Sequence, residues 1–524
     1  MHLHGARAGT AARFLLLPLA TLLVAGCAVG PNTGPAVVRE GGSPGIPTTS
    51  AKKAGFPVLS GVRADLPWQA CPPAMVAQYG IRPGAQVRVE CATMVNRADP
   101  NVGGGEAVTV PLVRVRLAAT PTDAVPVVAV TGTDLPAGQL ALALADGPGG
   151  QALLAKHPVV AVEQRGVVDI DCMTRADRTA IADNGMSGPG TSARARVNRL
   201  AAAARSASDS CTDTLDENVL AFTYALAATD VEALRRKWDV DRIALLGIGT
   251  GAQVALSYAA QYSDRVGRLM LDTPTPFTGS AKDRATIRVR GVEDALAVFT
   301  RRCATNPACR GPVDDPGYVL RSVLGKARAG SLTGLSDAGV VDAVTTTVGL
   351  ATSPDELAAL VGALAAADRG NTDDLASIVR RTAALQTPDG ILVSRCNNVT
   401  GTVGLNEIET LTGDWTKQYP MVGQTMAIGL ARCTGWGTTS PAAAPAGFIV
   451  PPLVFGASAD PVNGSDPTVL NRLFTDARTQ PATVTWDGVG YSVVAHSDCA
   501  AGILADFIAA RAAGTTRTHA CPAG

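Results

Sequence analysis

Residues 243–272 read IALLGIGTGAQVALSYAAQYSDRVGRLMLD, and this stretch decides the fold. An apolar run over 243–246 ends in a glycine-rich corner, Gly247-Ile248-Gly249-Thr250-Gly251, and passes into an alanine-rich helical pattern over 252–261. A further apolar run over 268–272 closes a strand, turn, helix, strand unit. The corner is one letter away from G-x-S-x-G, in which a serine nucleophile is lifted on a strained turn between two glycines that let helix and strand approach. Both glycines are present and Gly249 stands where the serine would be. The same residues satisfy a second pattern, G-x-G-x-x-G/A, through Gly247, Gly249 and Ala252, with Asp272 placed to take a ribose hydroxyl. Export of the chain and the depth of this strand within it weigh against that dinucleotide reading.

Outward from the corner, strand and helix patterns alternate. Residues 108–117 (VTVPLVRVRL) alternate as an early antiparallel strand. Residues 126–130 and 158–163 are short apolar runs of buried-strand type, separated by a helical stretch over 139–156. Residues 68–93 read as irregular chain and 167–210 as loop, followed by a helix over 218–238. Beyond residue 278 strand patterns cease, and helical periods continue to about 446. Strand patterns return at 452–456 and 482–486, with a closing amphipathic helix over 500–513. This is an α/β chain with a mostly parallel central sheet and an inserted helical cap, and caps sit over the carboxyl ends of strands where α/β ligands bind. The expected divisions are a core over 57–277, a cap over 278–446 and the rest of the core over 447–524.

The chain has 524 residues, with Lys+Arg 45 against Asp+Glu 45, so it offers no electrostatic footprint for nucleic acid. Arg7 and Arg13 precede an apolar run over 14–25, too short to span a bilayer and shaped like an export signal. The run ends Leu23-Val24-Ala25-Gly26-Cys27, similar to a bacterial lipobox in which residues 1–26 are removed and Cys27 is lipidated. Residues 27–56, rich in Gly, Pro, Ser and Thr, read as a flexible tether. A membrane-anchored protein facing the cell envelope is the expected location. Of 11 cysteines, removal of Cys27 leaves ten, an even number suited to an oxidising compartment. Connectivity stays open, but nearness favours Cys303 with Cys309, Cys172 with Cys211, Cys396 with Cys433 and Cys499 with Cys521, leaving Cys71 with Cys91. With five histidines, two of them in the signal, neither a histidine-based metal centre nor a cofactor is expected.

Several motifs in order carry a family resemblance. They are the Arg165-Gly166 loop, LLGxxxG at 245–251, Leu271-Asp272, Cys396, Cys433-Thr434-Gly435-Trp436, the segment 456–461 and Cys499. Together the chain resembles the secreted tripeptidyl-aminopeptidase-like branch of the α/β-hydrolases. The resemblance places the triad acid at Asp460, in Gly456-Ala457-Ser458-Ala459-Asp460-Pro461, which has one residue more than the family's G-x-x-D-P. It places the nucleophile at Gly249 and the histidine at Tyr491, so both chemistry-bearing residues are absent. Glycine offers no nucleophile, and a phenol of pKa about 10 is a poor base near neutrality. The family's glycine-rich oxyanion loop is here Val130-Thr131-Gly132-Thr133-Asp134-Leu135-Pro136, leaving the Thr250 amide as one oxyanion donor, with Asp134 repelling an anion if turned inward. The expectation is a pseudo-hydrolase that binds a peptide or small envelope ligand in a capped pocket. The alternative is an active exopeptidase or esterase that uses His496 as base with Thr250 or Ser492 as hydroxyl.

Overall fold

The computed structural model describes residues 56–523 apart from 82, 101–105, 168–169, 312, 386–387, 438–439, 465, 467 and 511–517. Cys27, the signal and residues 27–55 of the tether lie outside the described residues. Ten strands form one sheet: β1 (Gln69–Ala70), β2 (Val87–Arg97), β3 (Ala107–Leu117), β4 (Val127–Val130), β5 (Val159–Val162), β6 (Ile243–Ile248), β7 (Val266–Asp272), β8 (Leu453–Ala459), β9 (Ala482–Val489) and β10 (Thr518–Cys521). Their order is β1-β2-β3-β5-β4-β6-β7-β8-β9-β10. The strands from β5 to β10 run parallel, while β1, β2 and β3 pair antiparallel at one edge. This order, with a glycine corner leading out of central β6 into a helix, is the α/β-hydrolase fold.

The apolar runs become central strands because both sheet faces are covered. Every residue of β4 and β5, each Val-Val-Ala-Val, is buried. Val127 and Ala129 face helices Ala137–Asp146, Pro148–Leu154 and Asp498–Ile508. Val128 and Val130 face the opposite layer, where Tyr224–Lys237, Gly251–Gln261 and Asn471–Asp476 pack. Between β7 and β8 the described chain is helical, from Ala281–Thr305 to the 3₁₀ turn Leu430–Cys433, and much of it closes around an apolar core of its own.

Three segments depart from the sequence reading. Residues 87–97 form an 11-residue strand paired along its length with β3. Six of its 11 residues are apolar, but buried and exposed positions do not alternate cleanly, so the period-two signal of a strand is weak. Helices Arg175–Ala182 and Ala193–Leu215 occupy what reads as loop. Alanine and polar residues make up most of their buried stripes, a weak hydrophobic signal, whereas Thr174 and Ser192 do cap their first turns. Finally, β10 adds to the sheet edge beside β9, tied back by the Cys499–Cys521 disulfide. The other disulfides are Cys71–Cys91, Cys172–Cys211, Cys303–Cys309 and Cys396–Cys433.

The Arg165-Gly166 motif proves to be a packing element. Arg165 is fully buried and grips Asp230 with two bonds of 2.7 Å, while its Nη1 donates to the carbonyls of Ala98 and Ala221. Removing one partner of such a pair strands a buried charge. Arg165→Met is therefore expected to cost about 3–5 kcal/mol in denaturant unfolding. A loss below about 1 kcal/mol, the range of exposed pairs, would show that the pair is not needed.

Candidate functional site

The carboxyl ends of β4, β6, β7, β8 and β9 converge on one edge of the sheet, delivering Asp134, Gly249, Asp272, Asp460 and Tyr491 to one neighbourhood. At the centre is the corner. The Gly249 N–H donates to the Asp272 carbonyl at 2.9 Å, its φ is +56°, and helix Gly251–Gln261 starts two residues on. That left-handed backbone is the strained turn a nucleophilic serine would occupy, and glycine adopts it without penalty. At 251 a Cβ would overlap the Val130 carbonyl, so the helix can lie against β4 only if that residue is glycine.

The space above Gly249 is already filled. A Cβ there would overlap Asp134 Oδ2 and come within 2.6 Å of Asn463 Nδ2 and 2.9 Å of Tyr491 Cε2. Asp134 Oδ2 accepts from the Thr250 N–H at 2.8 Å, from Asn463 Nδ2 at 2.6 Å and from the Tyr491 hydroxyl at 3.2 Å. The Thr250 amide, the expected oxyanion donor, is thus satisfied by a carboxylate of the protein itself. The sequence expectation had Asp134 repelling an anion; the structure has it replacing one. Its loop is held by Glu163, which accepts from the Ala137 N–H at 2.9 Å at the start of helix Ala137–Asp146. Burial pushes the Glu163 carboxyl up to about 7.

Tyr491 has no exposed surface, and its N–H donates to the Gly349 carbonyl at 2.8 Å, which seats cap helix Asp337–Leu350 on this residue. Burial, then the nearby Asp134, holds its phenol well above its ordinary pKa, so it stays a hydrogen-bond donor. Asp460 lies at the end of β8, fully buried. Its Oδ1 accepts from the Val462 and Asn463 amides at 2.8 and 3.2 Å, and its Oδ2 has no hydrogen-bond partner. Burial raises its pKa to about 7. A histidine at 491 would be the natural donor to that vacant oxygen.

The alternative catalytic groups are engaged elsewhere. Thr250 Oγ1 donates to the Thr131 carbonyl at 3.1 Å and accepts from the Thr133 N–H at 3.1 Å. Ser492 Oγ donates to Asp272 at 2.8 Å, and the Val493 and Val494 amides bind the same carboxylate. His496 stacks on Trp486, with ring centroids 5.6 Å apart, and its Nδ1 lies 2.9 Å from the Ser492 carbonyl. Among the described residues no hydrogen bond joins His496 to Gly249, Thr250 or Asp460. Burial lowers its imidazole pKa. Asp272, which the dinucleotide pattern assigned to a ribose, is fully buried and caps Val493–His496, its pKa raised by burial to about 6. With the Thr250 amide also taken, the corner keeps no phosphate cradle.

Two participants were not marked by sequence. Asn463 follows the Asp460-Pro461 turn and has no motif of its own. Arg395 of the cap donates from Nη2 to the Thr133 carbonyl at 3.3 Å, pinning the loop that carries Asp134.

The chain is 26% identical over 100 residues to the serine protease Hip1 of Mycobacterium tuberculosis and of Mycobacterium bovis. The match spans 19% of this chain and 19% of the length of those curated relatives. Among solved structures, an esterase, RhEst1 from Rhodococcus sp. ECU1013, aligns over 81% of this chain and 98% of its own at 13% identity with a TM-score of 0.34. A homoserine O-acetyltransferase from Bacillus anthracis aligns over 80% and 97% at 11% identity with a TM-score of 0.33. No family's sequence profile matches the chain.

Two expected outcomes follow from this geometry. Gly249→Ala should destabilise the protein by at least about 1–3 kcal/mol through strain and overlap. Combining it with Asp134→Gly should recover part of that loss, and strictly additive effects would refute the overlap. Asp460 binds its proton more tightly folded than unfolded, so its contribution to stability falls as pH rises from about 4 to about 7. Asp460→Asn should therefore raise thermal stability at pH 8, by at most about 4 kcal/mol relative to its effect at pH 4. A larger destabilisation at pH 8 than at pH 4 would show that the ionised carboxylate is needed.

Proposed function

We propose that this chain is an exported lipoprotein of the tripeptidyl-aminopeptidase-like branch that has lost hydrolysis and uses its capped scaffold to bind a peptide or small envelope ligand. The observation that carries this reading is Asp134 Oδ2, which sits where a nucleophile's side chain would begin and takes the Thr250 amide that would receive an oxyanion. Covalent acyl transfer needs a nucleophile, a base and a vacant oxyanion site. Gly249 and Tyr491 remove the first two, and Asp134 fills the third. Loss of a serine nucleophile alone lowers kcat on the order of 10⁶-fold. Five disulfides support an oxidising compartment, and the partial similarity to a mycobacterial serine protease supports descent from a peptidase. Anchoring through Cys27 belongs to the same proposal.

Purified protein is expected neither to react with a fluorophosphonate probe nor to turn over aminoacyl and peptidyl anilides or short esters. Stoichiometric labelling, or turnover abolished by Thr250→Val, Ser492→Ala or His496→Gln, would overturn the reading. Gly249→Ser with Tyr491→His is expected to stay unlabelled while Asp134 remains, and to gain labelling when Asp134→Gly is added. Labelling of the double variant would show that Asp134 moves aside.

A further inference from the structure

Beside the corner, between the start of helix Tyr224–Lys237, helix Gly251–Gln261 and cap helix Ala281–Thr305, lies a cavity of about 230 Å³. Tyr224, Gln253, Ser257, Arg284, Asn398 and Thr400 contribute to its wall. Arg284 is its cation. The Nη1 of Arg284 donates to Gln253 Oε1 at 3.3 Å, and its Nη2 donates to the Asn398 carbonyl at 3.2 Å and to Thr400 Oγ1 at 3.1 Å. All three acceptors are neutral. No ion pair to Arg284 exists among the described residues, and its Nε–H and second Nη1 hydrogen have no acceptor.

Some enclosed arginines of this chain are paired with a carboxylate, whereas Arg268 and Arg288, like Arg284, have no ion pair among the described residues. Arg165 faces Asp230 at 2.7 Å, and Arg196 faces Asp337 at 2.6 Å. A half-buried guanidinium without a counter-charge is costly unless an anion arrives. Burial lowers the Arg284 pKa, opposed by the nearby Tyr224. A second polar group is unsatisfied in the same wall: Ser257 is 1% exposed and its Oγ has no hydrogen-bond partner. A single cation and neutral walls suit a monoanion, and the volume is below the roughly 300–1,000 Å³ of pockets for drug-sized ligands.

We propose that this cavity binds the carboxylate of a small organic acid or of a short peptide's C-terminus, with Arg284 as its counter-charge. The inference rests on the reading of the chain as a binding protein, and it gives that function a site next to the filled corner. Gln253 links the two places, since its Nε2 donates to Thr275 Oγ1 at 3.1 Å and the Thr275 N–H donates to the Gly249 carbonyl at 3.2 Å.

The test is calorimetric titration of the full chain with N-acetylalanine and trialanine, each beside its C-terminal amide. The free acids are expected to bind at least about 10-fold tighter than the amides, as a charge-assisted contact requires. Arg284→Gln should weaken the acids by roughly 10–100-fold, to the level of the amides. Ala443→Trp, which fills the cavity from an exposed position and leaves the Arg284 bonds intact, should abolish binding in a protein of unchanged thermal stability. Preference for trialanine identifies the peptide source, and preference for N-acetylalanine identifies the small acid. Equal binding of acids and amides, no binding of either acid, or unchanged affinity in Arg284→Gln would overturn the proposal. Turnover in the labelling assays would end the reading of a filled corner and leave this titration standing, whereas a failed titration with an unlabelled protein ends this inference alone.

Discussion

One carboxylate oxygen, Asp134 Oδ2, joins three distant parts of the chain: the corner amide of Thr250, the Asn463 side chain after β8 and the Tyr491 hydroxyl after β9. The Tyr491 hydroxyl also reaches the Ile248 carbonyl at 3.4 Å, and a buried donor left without any acceptor is costly. The carboxylate satisfies all three at once. It does so because Glu163 and Arg395 fix its loop from the sheet side and the cap side. In an active hydrolase the same donors would be held open for a developing negative charge, at a cost in stability that function requires. Here an acceptor of the protein itself takes those donors and ties the corner to the chain after β8 and after β9.

The same conversion recurs around it. Asp272 holds Ser492 and the amides of Val493 and Val494, fastening β7 to the chain after β9. Tyr491 presents its ring to the corner and its backbone to Gly349, so the cap is closed down on the residue that replaces the histidine. Asp460 is the exception. One of its oxygens is bound by the turn it sits in, and the other has no partner among the described residues. The elevated pKa of about 7 expresses that lack: burial penalises the charge, and two backbone amides do not offset it.

A second economy distinguishes the arginines. Arg165 and Arg196 are wrapped by carbonyls and closed by an aspartate. Arg284 is held by a glutamine, a carbonyl and a threonine beside open volume. Arg268 is buried with carbonyl acceptors alone, so what sets Arg284 apart is the open volume beside it.

Much of the architecture is legible in the residues themselves. Two Val-Val-Ala-Val runs and the apolar stretch into Gly247 declare buried parallel strands by length and composition, and the glycines of the corner declare a turn needing positive φ. That 249 is glycine and 491 is tyrosine is equally plain, because identity is a matter of one letter each. The strand Val87–Arg97 and the helix Ala193–Leu215 escape notice, since a half-exposed strand without clean alternation and a stripe rich in alanine and polar residues carry little signal. What only tertiary structure decided is which groups meet. The sequence holds Asp134 hundreds of residues from Asn463 and Tyr491, and no local pattern says that one oxygen will gather them. Nor does it say that His496 will turn to Trp486. Hydrogen-bond partnership in a buried site depends on distances and angles that only the closed fold supplies, so the identities at 249 and 491 could be read from the letters, and the groups that gather around them could not.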